Sequence, residues 1–386
     1  MNVHIITSSY PADPNDPSGT AGLFVRQFAL ELAAAGHSVV VQPAARKKVY
    51  FPDPGISIVP APWKGGDQEL ASVNLTSPRN WWIIFLFFMQ GAKNTVAINR
   101  EHVVARALCM WAVPSGIFGL IGKLAGGIPY DIWALGSDIW KIRKIPFIGK
   151  SVLKLVIKNA ARVYADGIEL CQEVKNITGV PCEILYSSRI LPLPKERMFL
   201  SYSQEICHFV FVGRYHVNKG PDLLIQAVSC LTPEERDSIC VHMFGLGPME
   251  NELRILVAEM KLEKCIEIRG PIEAQQLSNC LDSVSFLVIP SRIESIPVVF
   301  SDALQMGTPV VSMPVGDLGP LIQEFKCGIV AEEVTAQAFA GALAQAIKSN
   351  RSAFRAGVAK AYEKLRLEST VRRWLDTGES VAQAHS

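Results

Sequence analysis

Short apolar runs alternate with helix-period stretches along nearly the whole chain, and they do so in two separate series. In the first, residues 3–7, 38–42, 103–109, 130–134, 162–165 and 182–186 read as buried strands, with helices over 22–35, 115–125, 147–160 and 167–176. The second opens at Cys207-His-Phe-Val-Phe-Val212 and continues through 239–244, 265–269, 285–289, 309–312 and 328–331. Its helices fall at 220–230, 248–260, 275–282, 298–306, 318–325 and 335–348. Short strands that are apolar on both faces belong to parallel sheets covered by helices. Two such series predict an α/β chain of two doubly wound, Rossmann-like domains, and 386 residues are enough for two cores. The Pro-rich, polar stretch from Leu191 to Ser203 has neither period, so the expected domains are 1–195 and 204–365, followed by a terminal helix over 366–386. Ligands of such sheets bind beyond the carboxyl ends of the strands, and two domains facing each other enclose a cleft.

Bulk charge excludes one class of partner. A net charge of +2 gives no global field for nucleic acid. Nine cysteines are scattered without a Cys-x-x-Cys, which reads as buried thiols in a reducing cytoplasm and not as disulfides or zinc ligands. The N-terminal residues lead straight into a strand, without a basic segment or a signal-peptide cleavage pattern.

The chemistry concentrates in the second series. Its first strand runs into Gly213-Arg-Tyr-His-Val-Asn-Lys-Gly220. Arg214 offers a planar fork and Lys219 a point charge, from one loop at a strand's carboxyl edge, and together they suit a diphosphate. His216 between them reads as solvated, and His4 and His208 as satisfied strand residues. Gly245 and Gly247 follow the next strand and put another helix N-terminus, with its partial positive charge, on the same rim. After the apolar run 284–289 comes Pro290-Ser-Arg-Ile-Glu-Ser-Ile-Pro297, a loop leading into a helix whose first turn tolerates the proline. Glu294 lies in that loop and Asp302 lies inside the helix, roughly 7–8 Å along an axis that rises ~1.5 Å per residue. Two carboxylates so spaced match the two ends of an elongated polyhydroxylated anion such as a nucleotide-sugar.

This set of motifs resembles the retaining nucleotide-sugar glycosyltransferases of glycosyltransferase family 4, with the GT-B fold. The matching pieces are Val212-Gly-Arg-x4-Lys-Gly220, Gly245-x-Gly-Pro248, Pro290-Ser-x-x-Glu294 with a carboxylate eight residues on, and Gly307-x-Pro-Val-Val311. In the first half, Gly19-Thr-Ala-Gly22, Trp111-Ala-Val-Pro-Ser-Gly116 and Gly136-Ser-Asp138 match more loosely. The resemblance implies that Arg214 and Lys219 hold the donor diphosphate, Glu294 the sugar hydroxyls and Asp302 the ribose. Gly213, Gly245 and Gly247 would line the donor, backbone N–H groups at Ser295 and Ile296 would touch it, and Gly19 and Gly22 would approach its phosphates. Asp138 and Trp111 would be acceptor or sugar contacts, with a helix cap before Ile139 the alternative for Asp138. The resemblance implies no cofactor and no metal, which agrees with the lack of any Asp-x-Asp in the chain. It also implies that the terminal helix returns to the first domain.

Three departures stand out. Asp302 replaces the family's second glutamate, Ser295-Ile-Pro297 replaces its Gly-Phe-Gly, and Leu135 stands where many members carry a histidine. The expected activity is transfer of a hexosyl-type sugar from a nucleoside-diphosphate sugar to a saccharide or lipid-linked acceptor. A nucleotide-sugar-binding protein without turnover and a nucleotide-sugar epimerase remain as alternatives.

Two segments bear on membranes. The uncharged run Trp81 to Met89 sits between Arg79 and Lys93, too short a gap to span a bilayer as a helix, and is expected to be buried or to meet lipid. From Ile139 to Ala165 there are seven basic residues and no acidic ones, and Lys150, Lys154, Lys158 and Arg162 recur every four residues. A basic amphipathic helix of this kind suits either a solvated face or an anionic surface, which gives an expected location that is cytoplasmic or peripheral at the inner membrane face.

Overall fold

The computed structural model describes residues 1–11, 20–45, 52–63, 78–145, 148–196, 198 and 206–382. The chain divides into two compact units, Met1–Tyr186 with Thr370–Ser386, and Ser187–Ser369.

The first unit is built on β1 (Asn2–Thr7), β2 (Ser38–Ala45), β3 (Ile56–Ile58), β4 (Ala61–Pro62), β5 (Arg106–Met110), β6 (Tyr130–Ala134), β7 (Arg162–Ala165) and β8 (Glu183–Ile184). They form one sheet in the order β3-β2-β1-β5-β6-β7-β8, with β4 paired to β2, and every pairing is parallel. β5 and β6 are buried along their whole length, as their lack of polar alternation requires. β3 and β4 are only three and two residues long, too short for any period to be read.

The helix Pro78–Glu101 corrects the expectation of a buried apolar run. Its second half docks on the sheet through buried hydrogen bonds. Gln42 Nε2 donates to Gly91 O at 3.1 Å, Thr95 Oγ1 donates to Gln42 Oε1 at 3.0 Å, and Asn99 Oδ1 lies 2.9 Å from His4 Nδ1. Its first half buries Phe87 but leaves Trp81, Trp82, Phe85 and Met89 exposed, with Trp82 stacked on Phe85. By length and composition alone Asn80–Glu101 is apolar enough to cross a membrane, yet only 22% of that window is buried in the fold. The charge-free gap is thus shorter than the helix that contains it.

In the second unit β9 (Cys207–Val212), β10 (Ile239–Phe244), β11 (Ile266–Arg269), β12 (Phe286–Ile289), β13 (Val310–Ser312) and β14 (Gly328–Val330) form a parallel sheet ordered β11-β10-β9-β12-β13-β14. The order reverses between β9 and β12, which makes their carboxyl ends the switch point where ligands of open α/β sheets bind.

The second unit begins at Ser187, earlier than the boundary expected at 195, so the described part of the Pro-rich stretch, 191–196 and 198, belongs to it. Its backbone is docked by side chains: Leu191 N donates to Gln305 Oε1 at 2.9 Å, Gln305 Nε2 donates to Leu191 O at 3.0 Å, and Ser278 Oγ donates to Pro192 O at 2.6 Å. Such docking leaves no hydrophobic period. The terminal helix Leu367–Ala382 carries Trp374 into the first unit's core. There its Nε1 donates to Asp131 Oδ2 at 3.0 Å, and the Arg106 guanidinium lies 4.6 Å from its ring centre while pairing with Asp131 at 2.5 Å.

Candidate functional site

The loops at the carboxyl ends of β9, β10, β12 and β13 are braced against one another. β9 ends at Gly213, and the chain passes Arg214 into a short 3-10 turn, Val217–Lys219. His216 starts that turn, its ring accepting from Asn218 N at 3.2 Å, so it serves the loop's own backbone. Gly220 closes the turn with φ 65° and lets the helix Pro221–Ser229 begin with proline in its first turn. A Cβ on Gly220 would lie 2.0 Å from Pro290 O, so the β9 loop presses directly on the β12 loop.

Arg292, which the sequence reading passed over, joins the same two loops. Its Nη1 donates to Val217 O at 2.9 Å and to Asp222 Oδ1 at 2.8 Å, and its Nη2 donates to Asp222 Oδ2 at 2.6 Å. Burial alone would push the Asp222 carboxyl up, but the guanidinium overrides it and holds the group below its usual range. Gly316, also missed, braces Glu294 from the other side. It has φ 52°, and a Cβ there would lie 2.1 Å from Glu294 O.

This bracing brings Lys219 and Glu294 together: Lys219 Nζ donates to Glu294 Oε2, with the two side chains 25% and 15% exposed. Arg214, on the same loop as Lys219, is exposed. Ser295 is half-buried, and the Ile296 side chain is packed inside at 5% exposure. The arrangement offers a cation and a carboxylate in contact, with a second cation, Arg214, five residues earlier on the same loop, at the sheet's switch point.

Several of the expected site residues are engaged by the protein's own groups. Asp302 is fully buried, and Arg189 clamps it through contacts of 2.7, 3.0 and 3.2 Å. The aspartate sits on the helix Val298–Gln305, where the guanidinium reaches both carboxylate oxygens. Burial pulls the Arg189 pKa down, and the adjacent Asp302 charge more than restores it, so the guanidinium stays charged. Gly245 and Gly247 let a neighbouring loop approach: added Cβ atoms would lie 2.0 Å from Gly213 O and 2.3 Å from Tyr215 O. Tyr215, another residue missed, ties that corner together: its hydroxyl lies 2.7 Å from both Met243 O and Arg269 O, which share its one proton.

At the first unit's carboxyl edge, Gly19 lies outside the described residues. Gly22 meets protein, since a Cβ there would lie 2.9 Å from Tyr10 Cα. Trp111 has a left-handed φ of 66° and sets its ring edge-on to Phe24 at 6.0 Å. Asp138 is neither a helix cap side chain nor an open contact. It is 4% exposed and accepts from Ala112 N and, at 3.2 Å, from Leu135 N, so it ties the ends of β5 and β6 together. Burial pushes its pKa up to about 6 against the pull of these amides.

A cleft beside the helix Gly149–Asn159 is lined by Arg143, Lys144, Lys150 and Lys154 around Glu173, and Arg143 pairs with Glu173. Leu153, Val156 and Ile157 of that helix are buried, while Ile148 and Leu155 are exposed.

Residues 207–349 match the family described as Glycosyl transferases group 1. Among curated relatives, a D-inositol 3-phosphate glycosyltransferase of Jonesia denitrificans is 27% identical over 199 residues, covering 50% of this chain and 47% of that protein. A putative colanic acid biosynthesis glycosyltransferase WcaL of Salmonella typhimurium is 28% identical over 162 residues, covering 40% of each chain. The chain thus spans about half the length, or less, of these curated relatives. The sucrose-phosphate synthase of Thermosynechococcus elongatus superposes with a TM-score of 0.75 at 17% identity, over 99% of both chains. Anabaena Alr3699/HepE, solved with UDP and glucose, does so with a TM-score of 0.69 at 13% identity, over 98% of this chain and 100% of that one. These structures establish the GT-B class of fold, two Rossmann-like domains in one chain.

Proposed function

With residues 207–349 belonging to the group 1 glycosyltransferases, we propose that the chain is a metal-independent, retaining glycosyltransferase. It moves a hexosyl-type sugar from a nucleoside-diphosphate sugar to a saccharide or lipid-linked acceptor, in glycan or polysaccharide assembly. The observation that carries this reading is the Lys219–Glu294 contact at the switch point, with Arg214 on the same loop.

The chemistry follows from these side chains. When the bond between the anomeric carbon and the β-phosphate oxygen breaks, negative charge grows on the diphosphate and oxocarbenium character on the sugar. Lys219, held by Glu294 before the reaction, and Arg214 on the same loop stabilise that growing charge more than they stabilise the bound donor. Glu294, held by Lys219 and by the backbone at Gly316, accepts hydrogen bonds from sugar hydroxyls. The acceptor hydroxyl enters on the face the diphosphate leaves, and the departing phosphate oxygen takes its proton, so no separate strong base is required.

The test is incubation of the purified chain with a panel of nucleotide-sugars. Slow donor cleavage that disappears in Lys219→Ala supports the transferase. Nucleotide binding without turnover, with acceptors supplied, supports a binding protein, and donor interconversion without acceptor supports an epimerase.

A membrane-surface location is favoured by a separate observation, the exposed Trp81, Trp82, Phe85 and Met89 in the same unit as the basic cleft. Aromatic side chains suit the bilayer interface, and lysines near an anionic surface contribute about 1 kcal/mol each. Binding to anionic but not neutral vesicles, released by salt, is the expected result. Equal behaviour toward both vesicle types removes this reading.

A further inference from the structure

We infer that His208, Cys240 and His242 form a binding site for a zinc-type divalent metal ion inside the second unit, with Glu267 as its outer support. The three ligand atoms lie within 4.8 Å of one another, and all three residues are buried. The sheet register explains why they meet. His208 on β9 is paired with Cys240 on β10, and His242, two residues on, projects from the same face as Cys240 and is paired with Glu267 on β11.

The hydrogen bonds set the tautomers that a metal needs. His242 Nδ1 lies 3.0 Å from Glu267 Oε2, and a carboxylate can only accept, so Nδ1 carries the proton and Nε2 keeps its lone pair. That Nε2 lies 3.0 Å from His208 Nδ1, which therefore donates to it in the metal-free chain. Metal-bound histidines characteristically give their other N–H to a carboxylate in this way. Two nitrogens bound tetrahedrally at roughly 2.0–2.1 Å lie about 3.3 Å apart, close to the present spacing of 3.0 Å. The rings lie 7° from parallel with their centres 5.3 Å apart, so they meet end to end across this hydrogen bond, and a turn of each ring about its side-chain torsions aims both lone pairs at one ion.

Binding balances as follows. Cys240 releases its thiol proton to solvent and binds as thiolate. His208 gives up its proton at Nδ1 and is protonated at Nε2, and the ion takes the place of the proton shared between the rings. Two imidazoles and one thiolate with a fourth position for water suit zinc, and exclude calcium and magnesium, which take oxygen ligands. Glu267 is 36% exposed and gives solvent a way to the site. His208 and Cys240 are each the second residue of their strand, at the sheet's amino end. Lys219 and Glu294 follow the carboxyl ends, so this ion would be structural and take no part in sugar transfer.

Cobalt(II) is the probe, added to the intact, reduced chain. One equivalent is expected to give visible bands of tetrahedral type and a near-ultraviolet sulfur-to-cobalt band, both displaced by zinc. Cys240→Ser should lose the sulfur band and His242→Gln should weaken binding severely. Glu267→Gln, at a partly exposed position that spares the core, should retain the spectrum with affinity lowered about 10–100-fold. Zinc should also raise the melting temperature of the parent chain but not of Cys240→Ser. No stoichiometric cobalt spectrum in the parent chain, or a sulfur band unchanged in Cys240→Ser, overturns the site.

Discussion

At the carboxyl edge of the second sheet Lys219 and Glu294 keep 25% and 15% of their side chains exposed, on loops pinned by Arg292, Gly220 and Gly316. At the carboxyl edge of the first sheet the carboxylate of Asp138 is sealed under backbone amides, and Phe24 packs edge-on to Trp111 and Trp133 at 6.0 and 5.9 Å. Both edges end parallel strands of doubly wound sheets, yet Lys219 and Glu294 stay in contact and partly open to solvent while Asp138 is closed off. Charge that is rigid and reachable can meet a ligand, whereas charge that is buried and bonded holds the fold. The pair Glu294 and Asp302 repeats the contrast within eight residues of one unit, one carboxylate on a reachable lysine and the other closed off by Arg189.

The largest expected effect tests the sealed carboxylate. Arg189→Ala leaves Asp302 buried and uncompensated, a loss of roughly 3–5 kcal/mol in a denaturant titration, and Arg189→Met with Asp302→Leu should recover most of it. A near-neutral Arg189→Ala that gains nucleotide affinity would instead mean that a donor displaces the arginine and reaches Asp302. Next comes the open pair: Lys219→Ala and Glu294→Gln should each lower donor cleavage about 10²–10³-fold, and the double variant should fall short of the product because the two groups act together. Cleavage unchanged in both variants would move the chemistry elsewhere.

A smaller effect concerns Asp138. Its folded pKa of about 6 lies above the ordinary 3.8, so its contribution to stability is fully present below the ordinary value and is lost as pH rises through about 6. Asp138→Asn should remove that slope, which amounts to about 3 kcal/mol at ~1.36 kcal/mol per pKa unit, seen as the difference between the two proteins' unfolding midpoints from pH 4 to 7. Identical pH profiles would show Asp138 to be ordinary. The smallest change is Trp82→Ser on the exposed face of Pro78–Glu101, which should alter stability by less than about 0.5 kcal/mol while weakening any vesicle binding. A large loss of stability there would mean that the face is covered.

Much of the fold was readable because parallel strands buried on both faces must be apolar throughout, and the helices between them must carry one apolar stripe. Cys207–Val212, Ile239–Phe244 and the helix beginning at Val298 follow that rule closely. The strands Ile56–Ile58 and Ala61–Pro62 did not show, since no period fits in so few residues. Neither did the docking of Leu191 and Pro192, which depends on amide and hydroxyl side chains far along the chain. Within the candidate site, Lys219 and Glu294 were legible from charge and glycine spacing. Arg292, Gly316 and Tyr215 were not, because their work is to hold other loops and not to carry a motif.

By itself, then, the order of residues determined two apolar strand series, the covered parallel sheets they require, and the loops that carry Arg214, Lys219 and Glu294. Only the tertiary structure decided which charges stay reachable and which are consumed by partners, and which strand residues become neighbours, as His208, Cys240 and His242 do. The physical reason is range: burial pattern and backbone preference act over a few residues and leave a local period. The pairing of Asp302 with Arg189, 113 positions apart, is fixed by sheet register and loop packing, which no local pattern records.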